Sequence, residues 1–299
     1  MGMFEKIDLT KLLNDRCTCR SFKPTPIPED IMNYLYDMAC SAPSSGGFQR
    51  ISIIEIKDNE KKKKLAYYSR NQQFIVRAPV NLVFCIDFRR MKRIAEYEGA
   101  PYDQGAALSR IWMGIIDASI SAHTLALAAE AQGLRSCYNG NIIDQVDKVA
   151  ELLELPEGVI PAFMLTLGYP LSAGKASLKY ARDVIVQHEI YQDMGIEQLH
   201  QYHRKKFSRS KFNATLERCE KLHKILARQY GEENADKEIE QVKKRGYLTA
   251  YQYWFGCYYP NNEKDIMTDK EYYMFLAKNG LDFIRGSRAA NSVRQVGGQ

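Results

Sequence analysis

Two arginines stand four residues apart in Arg16-Cys17-Thr18-Cys19-Arg20-Ser21-Phe22. A guanidinium presents its donors as a rigid fork, so two of them carried by one short segment suit a phosphate or a delocalised oxyanion. The segment follows a helical pattern over 7–15. It precedes Lys23-Pro24-Thr25-Pro26-Ile27-Pro28, which cannot be helical throughout because each proline fixes φ and lacks an N–H. Taken alone, an arginine pair reads first as two solvated surface residues. Other chemistries find little support. The seven cysteines include no Cys-x-x-Cys pair, so no metal site is expected and Cys17 and Cys19 read as reduced residues. His123 lies on an apolar helical pattern, where a packed histidine is the plainer reading. There is no Ser-His-Asp order, no P-loop and no Gly-x-Gly-x-x-Gly after a strand.

The elements that must position these residues come from periodicity. Residues 29–41 read as a helix that opens at Pro28-Glu29-Asp30, with proline and acids in the turn where the helix dipole favours them. Ser41 to Gln49 is a loop by composition, rich in serine and glycine. Strands are expected at 51–56, 80–87, 134–138 and 161–167, from β-branched content and turn-forming flanks. Asn139-Gly140-Asn141 is a turn, and a helix covers about 144–154. The longest helical pattern, 103–132, has bulky or small apolar residues on nearly every face. At about 1.5 Å per residue it would span roughly 45 Å, too long for the core of a small monomer to cover. A homodimer that shares it follows. After about 195 charge rises and apolar density falls, which sets an expected division into 1–195 and 196–299. Strands interleaved with helices point to an α/β or α+β layer fold.

Composition is that of an ordinary globular chain: 299 residues, 45% hydrophobic, 26% charged, formal net charge +6. The modest basic excess fits an anionic small ligand. No run of some eighteen apolar residues and no signal-peptide pattern is read, so the expectation is a cytoplasmic protein without a membrane partner. The basic run Arg204 to Lys211 interleaves one aromatic, Phe207, and matches no nucleic-acid motif, so no nucleic-acid partner is expected.

Together these pieces resemble the nitroreductase family of FMN-dependent oxidoreductases, in its larger, NADPH-preferring branch. Arg16-Cys17-Thr18-Cys19-Arg20-Ser21-Phe22 resembles the family's N-terminal Arg-x-Ser-x-Arg-x-Phe motif. Ala42-Pro43-Ser44-Ser45 and Gln49 resemble its Ala-Pro-Ser/Thr-Ser loop, and Asn71-Gln72 its Gly-Asn-Gln segment. Val83 to Arg90, Ala128 to Leu134 followed by Tyr138-Asn139-Gly140, Leu167-Gly168-Tyr169-Pro170, His188-Glu189-x-Tyr191 and Phe275 to Leu281 continue the match in order. Four positions depart from the pattern. Gly47 stands where asparagine is usual, His123-Thr124 where Gln-Asn is usual, Asn139 where an aliphatic residue is usual, and Lys179-Tyr180-Ala181-Arg182 where Lys-Pro-Arg is usual.

The resemblance implies an α+β fold. A central mixed or antiparallel sheet would be flanked by helices, the long helix would lie at a homodimer interface, and a helical extension would end the chain. It implies FMN as cofactor, with Arg20 as the catalytic cation near the flavin pyrimidine. Arg16, Arg182 and Lys179 would meet the phosphate, and Thr18, Ser44, Ser45 and Gln49 the ribityl chain and its surroundings. Gln72 would bond the pyrimidine edge, and Cys17, Tyr138, Asn139, Gly140 and Asn141 would line the flavin. Arg204 and Arg209 would read the 2′-phosphate of NADPH. The expected activity is hydride transfer from NAD(P)H to nitroaromatics, quinones or free flavin by a ping-pong mechanism. The alternatives are a reductive dehalogenase or ene-reductase on the same scaffold, or a low-turnover flavin-binding redox sensor.

Overall fold

The computed structural model describes residues 8–102, 108–172, 174–259 and 266–282. Its sheet has four strands: β1 (Ile51–Ile56), β2 (Val80–Asp87), β3 (Arg135–Asn139) and β4 (Val159–Gly168), in the order β1-β2-β4-β3. All three ladders are antiparallel, so of the two expected arrangements the sheet takes the antiparallel one. β2 is buried along its whole length, as expected of a central strand covered on both faces. Its side chains alternate with period two. Val80, Leu82 and Phe84 pack with residues of helices α2 (Glu29–Cys40) and α6. Val83 and Cys85 pack with Leu65, Ile75 and Val149 on the other face. The helices of that second face are α3 (Asn59–Tyr68), α4 (Phe74–Arg77) and α7 (Val146–Leu152). This part also contains α1 (Leu9–Asp15), capped by Asp8, whose Oδ1 accepts from Lys11 N at 3.1 Å, and α5 (Arg89–Tyr97).

α6 (Leu108–Ala131) is the long helix that periodicity predicts; residues 103–107 of that prediction lie outside the described residues. Its 24 residues span about 36 Å. It runs unbroken through Gly114, where a Cβ would overlap Ile86; the glycine allows the helix to lie close against the sheet instead of kinking it. The helix is not uniformly covered. Asp117, Ala118, Ser121, Ala122, Leu125 and Ala129 are buried, while Leu108, Trp112, Ile116 and Ile120, four residues apart, form an exposed apolar stripe. With a mean hydropathy of 1.4 it is long and apolar enough to cross a membrane. Yet it also buries two acids, each ion-paired: Asp117 with Arg50 and Glu130 with Arg135. It ends at Gly133, whose φ of +75° closes the turn and moves β3 one residue past its expected start.

The chain divides into two compact units, with the division after Ala176. The second unit contains α8 (Arg182–Ile185), α9 (Ile196–Lys206), α10 (Leu216–Tyr230), α11 (Glu232–Arg245), α12 (Ala250–Tyr253) and a two-strand ladder of β5 (Phe212–Asn213) with β6 (Tyr247–Leu248). Cys219, Leu222, Ile239, Val242, Leu248 and Cys257 form its own core. The last described helix, α13 (Asp269–Lys278), belongs to the first unit. Leu276 and, just beyond it, Leu281 pack there with Ile86, Phe88, Val146 and Ile160. The expected boundary near 195 therefore differs from the one observed. Composition registers a change in average polarity, whereas the unit boundary follows which core the apolar side chains join.

Candidate active site

The segment that carries the two arginines leaves α1 at Arg16, whose N–H bonds to Leu12 O. It then runs extended along β3, at the edge of the sheet. Thr18 bridges Ser136 in parallel, and Cys19 N donates to Ser136 O at 2.9 Å. Farther on Leu171 N donates to Ser21 O at 2.9 Å and Lys23 N to Tyr169 O at 2.8 Å. Extended backbone alternates its side chains. Cys17, Cys19 and Phe22 are buried, while Thr18 and Arg20 are exposed. The side chain of Cys17 is buried and packs so closely on Gly174 that a Cβ there would overlap its Sγ. The cations flank β3. Burial raises the Cys137 thiol, against the pull of the Arg20 charge. Burial likewise pushes the Tyr138 phenol up to about 12, against the pull of Arg16. Among the described residues neither arginine forms an ion pair with a carboxylate.

Behind this edge is a hydrogen-bonded hub. Gln72 Nε2 donates to Ser69 O at 2.9 Å and to Asn141 Oδ1 at 3.1 Å. Asn141 Nδ2 donates to Asp144 Oδ2 at 3.1 Å, and Arg70 Nε reaches the same oxygen at 2.7 Å. Asn141 N donates to Asn139 Oδ1 at 2.9 Å, which closes an Asx turn at the end of β3. Arg70 and Asn71 sit at φ of +60° and +57°, a left-handed pair that turns the chain sharply ahead of Gln72. Both amide hydrogens of Gln72 are thus engaged by the protein, and only its Oε1 is left to accept. Asn139 Nδ2 and Ser69 Oγ are buried with no hydrogen-bond partner among the described residues. A Cβ on Gly140 would meet nothing within 4 Å, so the turn between Asn139 and Asn141 faces open space. Tyr138 leans on Phe163, with ring centroids 5.9 Å apart.

The serine loop is held from a different direction. Asp117 on α6 accepts from Ser45 N at 2.9 Å, and its second carboxylate oxygen pairs with Arg50 at 3.3 Å. Arg50 in turn donates to Ser45 O at 3.0 Å. Ser44 Oγ accepts from Gln49 N at 3.1 Å. Gln49, at φ +48°, uses its side-chain amide to close the loop, donating to Cys40 O at 2.6 Å. Gly46 and Gly47 adopt φ of +63° and +69°, a conformation glycine takes without penalty. Among the described residues no hydrogen bond joins this loop to the Arg16–Phe22 segment.

A family model, the Nitroreductase family, matches residues 13–169, which span the arginine segment, the serine loop, the hub and all four strands. The chain belongs to the nitroreductase family. It is 31% identical over 181 residues to an FMN reductase (NADPH) of Bacillus subtilis (strain 168), covering 60% of this chain and 72% of that protein. It is likewise 31% identical over 183 residues to an NADPH-flavin oxidoreductase of Vibrio harveyi, covering 61% and 74%. Among solved structures, nitroreductase A from Vibrio parahaemolyticus has a TM-score of 0.69 at 22% identity, over 93% of this chain and 99% of that one.

The structure gathers Arg16, Thr18, Arg20, Gln72, Tyr138, Asn139, Gly140 and Asn141 at one edge of the sheet. Ser44, Ser45 and Gln49 stand apart on their own loop. Lys179, Arg182, Arg204 and Arg209 belong to the second unit, where all four are exposed. Sequence reading missed four residues that support the site: Arg50, Asp117, Arg70 and Asp144. One signal was available, since Asp117 is a lone acid within the apolar run Ile115 to Ala122, and a charge in such a position requires a partner.

Proposed function

We propose that the protein is an FMN-dependent oxidoreductase that takes reducing equivalents from NAD(P)H and delivers them to a nitroaromatic, a quinone or free flavin. The observation that carries this is the edge site itself: two arginines that form no ion pair among the described residues stand with a hub that presents a free acceptor and buried donors without partners there. Those donor types fit FMN. Arg16 suits the phosphate. Thr18, Ser44 and Ser45 offer hydroxyls to the ribityl chain. Gln72 Oε1 and Asn139 Nδ2 match a ring edge that both donates and accepts, and the open side of Gly140 leaves room for it. FMN, when bound, supplies the two-electron chemistry.

The protein's share is binding and electrostatics. Arg20 would supply a fixed cation for the negative charge that two-electron reduction leaves on the pyrimidine, without reorganisation at the moment of reaction. Tyr138 stays protonated through the physiological range and keeps its hydroxyl as a donor. Donor and acceptor would use the same exposed face in turn, which gives ping-pong kinetics. Relatives described as FMN reductases and as an oxygen-insensitive NADPH nitroreductase support this reading, and no observation favours dehalogenation, ene-reduction or sensing.

The working form in this reading is a cytoplasmic homodimer. The exposed stripe Leu108, Trp112, Ile116 and Ile120, with Leu9 and Leu13 of α1 also exposed, is an apolar face of the kind that a second copy covers. Seven cysteines that form no disulfide among the described residues suit a reducing compartment. NADPH is the proposed donor, with Arg204 and Arg209 as the cations for its 2′-phosphate. Anaerobic titration of the purified protein tests the function. It is expected to carry about one FMN per chain and to lose its yellow colour on addition of NADPH. A protein that takes up no FMN refutes the proposal.

A further inference from the structure

Asp144 has a task in the hub that its ion pair with Arg70 does not explain. Both side chains are largely buried, and the pair ties the turn that carries Arg70 to the 3₁₀ turn Asn141–Gln145. Such a staple needs only the guanidinium and the carboxylate. Yet the same oxygen, Oδ2, also accepts from Asn141 Nδ2 at 3.1 Å, and Asn141 continues the chain of bonds to Gln72. Asp144 is itself fixed from behind, since its carbonyl accepts from Met267 N at 2.9 Å. The two ends of a primary amide have nearly the same shape, so its partners decide which end faces which way. A carboxylate can only accept. Asn141 must therefore turn Nδ2 to Asp144 and Oδ1 to Gln72. Gln72, facing an oxygen, must offer Nε2, and the Ser69 carbonyl, also an acceptor only, takes the other hydrogen. Asn139 is fixed in the opposite sense. The Asn141 N–H can only donate, so it takes Oδ1 of Asn139 and leaves Nδ2 buried without a partner among the described residues.

We infer that Asp144 is a positioning residue: acting through Asn141, it holds Gln72 with both amide hydrogens turned inward, so that Gln72 offers the site an acceptor only and selects a ring that donates there. The orientation of the amide follows from the hydrogen bonds alone, whereas the choice of ring rests on the FMN reading above. The pyrimidine N–H of a flavin is such a donor, and a ring carbonyl suits Asn139 Nδ2. Without Asn141 in place, the Ser69 carbonyl engages one hydrogen of Gln72 and leaves the second to compete at the ring edge. The relay needs an oxygen on residue 144 more than it needs a charge. Asp144→Asn can keep an oxygen towards Asn141 and Arg70, and Asp144→Leu cannot.

Two measurements on the full chain test this. The first is the affinity for FMN and for 3-methyl-FMN, in which a methyl group replaces the pyrimidine N–H hydrogen, each read by fluorescence. Asp144→Leu is expected to weaken FMN about tenfold and to leave 3-methyl-FMN unchanged, so the preference for FMN falls about tenfold. Asp144→Asn is expected to keep the wild-type preference. The double variant Arg70→Met, Asp144→Leu removes the cation that Asp144→Leu strands, and is expected to show the same fall in preference with the fold intact. The second measurement is hydrogen exchange of the Gln72 side-chain amide by NMR. Exchange is expected to be slow in wild type and in Asp144→Asn, and at least tenfold faster in the leucine variants. Equal weakening of both flavins would make Asp144 structural and overturn the proposal. So would a wild-type preference, or wild-type exchange, in the double variant. Wild-type protein that binds neither flavin would refute the FMN reading and the ring selection with it, while amide exchange would still decide the relay.

Discussion

Asp117 offers a direct test of how the central helix controls the serine loop. Its side chain is 1% exposed, and that of Arg50 8%. The carboxylate accepts from Ser45 N and Arg50 N and pairs with the Arg50 guanidinium, which also lies 4.9 Å from the Phe48 ring. Asp117→Leu leaves Arg50 buried without its counter-charge and leaves the Ser45 N–H without its acceptor. Removing one partner of a buried pair costs about 3–5 kcal/mol, and the lost charge-assisted bond to Ser45 is contained within that figure because the two are coupled. In a unit of this size the change lowers Tm by roughly 6–20 °C. Adding Arg50→Met removes the stranded charge and is expected to recover most of that loss. The loop should not recover with it, since nothing then holds Ser45. Calorimetry gives the stability arm, and FMN affinity by fluorescence quenching gives the loop arm. The expected result is restored Tm in the double variant with FMN binding still weakened about tenfold. A single variant that loses less than about 1 kcal/mol would refute the buried-pair reasoning. Wild-type FMN affinity in both variants would show that the Asp117 anchor has no part in binding.

Four further outcomes follow from the same geometry. Arg20→Ala should lower the flavin reduction potential and slow reduction by nicotinamide about a hundredfold; an unchanged potential would make Arg20 structural. Ile116→Glu places a charge in the exposed stripe of α6 and should shift the proposed dimer towards monomer in sedimentation at micromolar concentration; a wild-type profile would count against an interface on this stripe. The Arg204→Ala, Arg209→Ala double variant should lose kcat/KM for NADPH and retain it for NADH, with equal loss for both donors counting against these two residues. Tyr138 holds its proton to about 12 in the folded protein, against an ordinary value near 10. Its contribution to stability is therefore complete below about pH 10 and is lost as pH rises towards 12. Tyr138→Phe should flatten that stretch of the pH–stability curve and remove one late phenolate transition at 295 nm.

Much of the fold was legible because it depends on local rules. β2 was readable from the apolar run Leu82 to Ile86, α2 from its proline and acids at the first turn, and the end of α6 from Gly133. The arginine segment and the turn at Asn139-Gly140-Asn141 were legible as ordered motifs. The role of Gln72 was only half legible: type and position marked it, but only the fold shows that Ser69 and Asn141 take both amide hydrogens and leave the oxygen. Gln49 shows the same limit, since its side chain closes the loop on Cys40 O. Cys17 lies within the motif, yet alternation along the extended segment turns its thiol inward against Gly174.

By itself, then, the sequence determined the family, the run of strands and helices, and the residue types at the site. These follow from short-range periodicity, capping and turn chemistry. Only the tertiary structure decided which partners those residues have. It joined Arg50 to Asp117 across 67 positions and Arg70 to Asp144 across 74, and it returned Leu276 and Leu281 to the first core. It also turned one face of α6 inward and left the other bare. Pairings over such distances leave no periodic trace, because burial and charge neutralisation are satisfied in space and not along the chain.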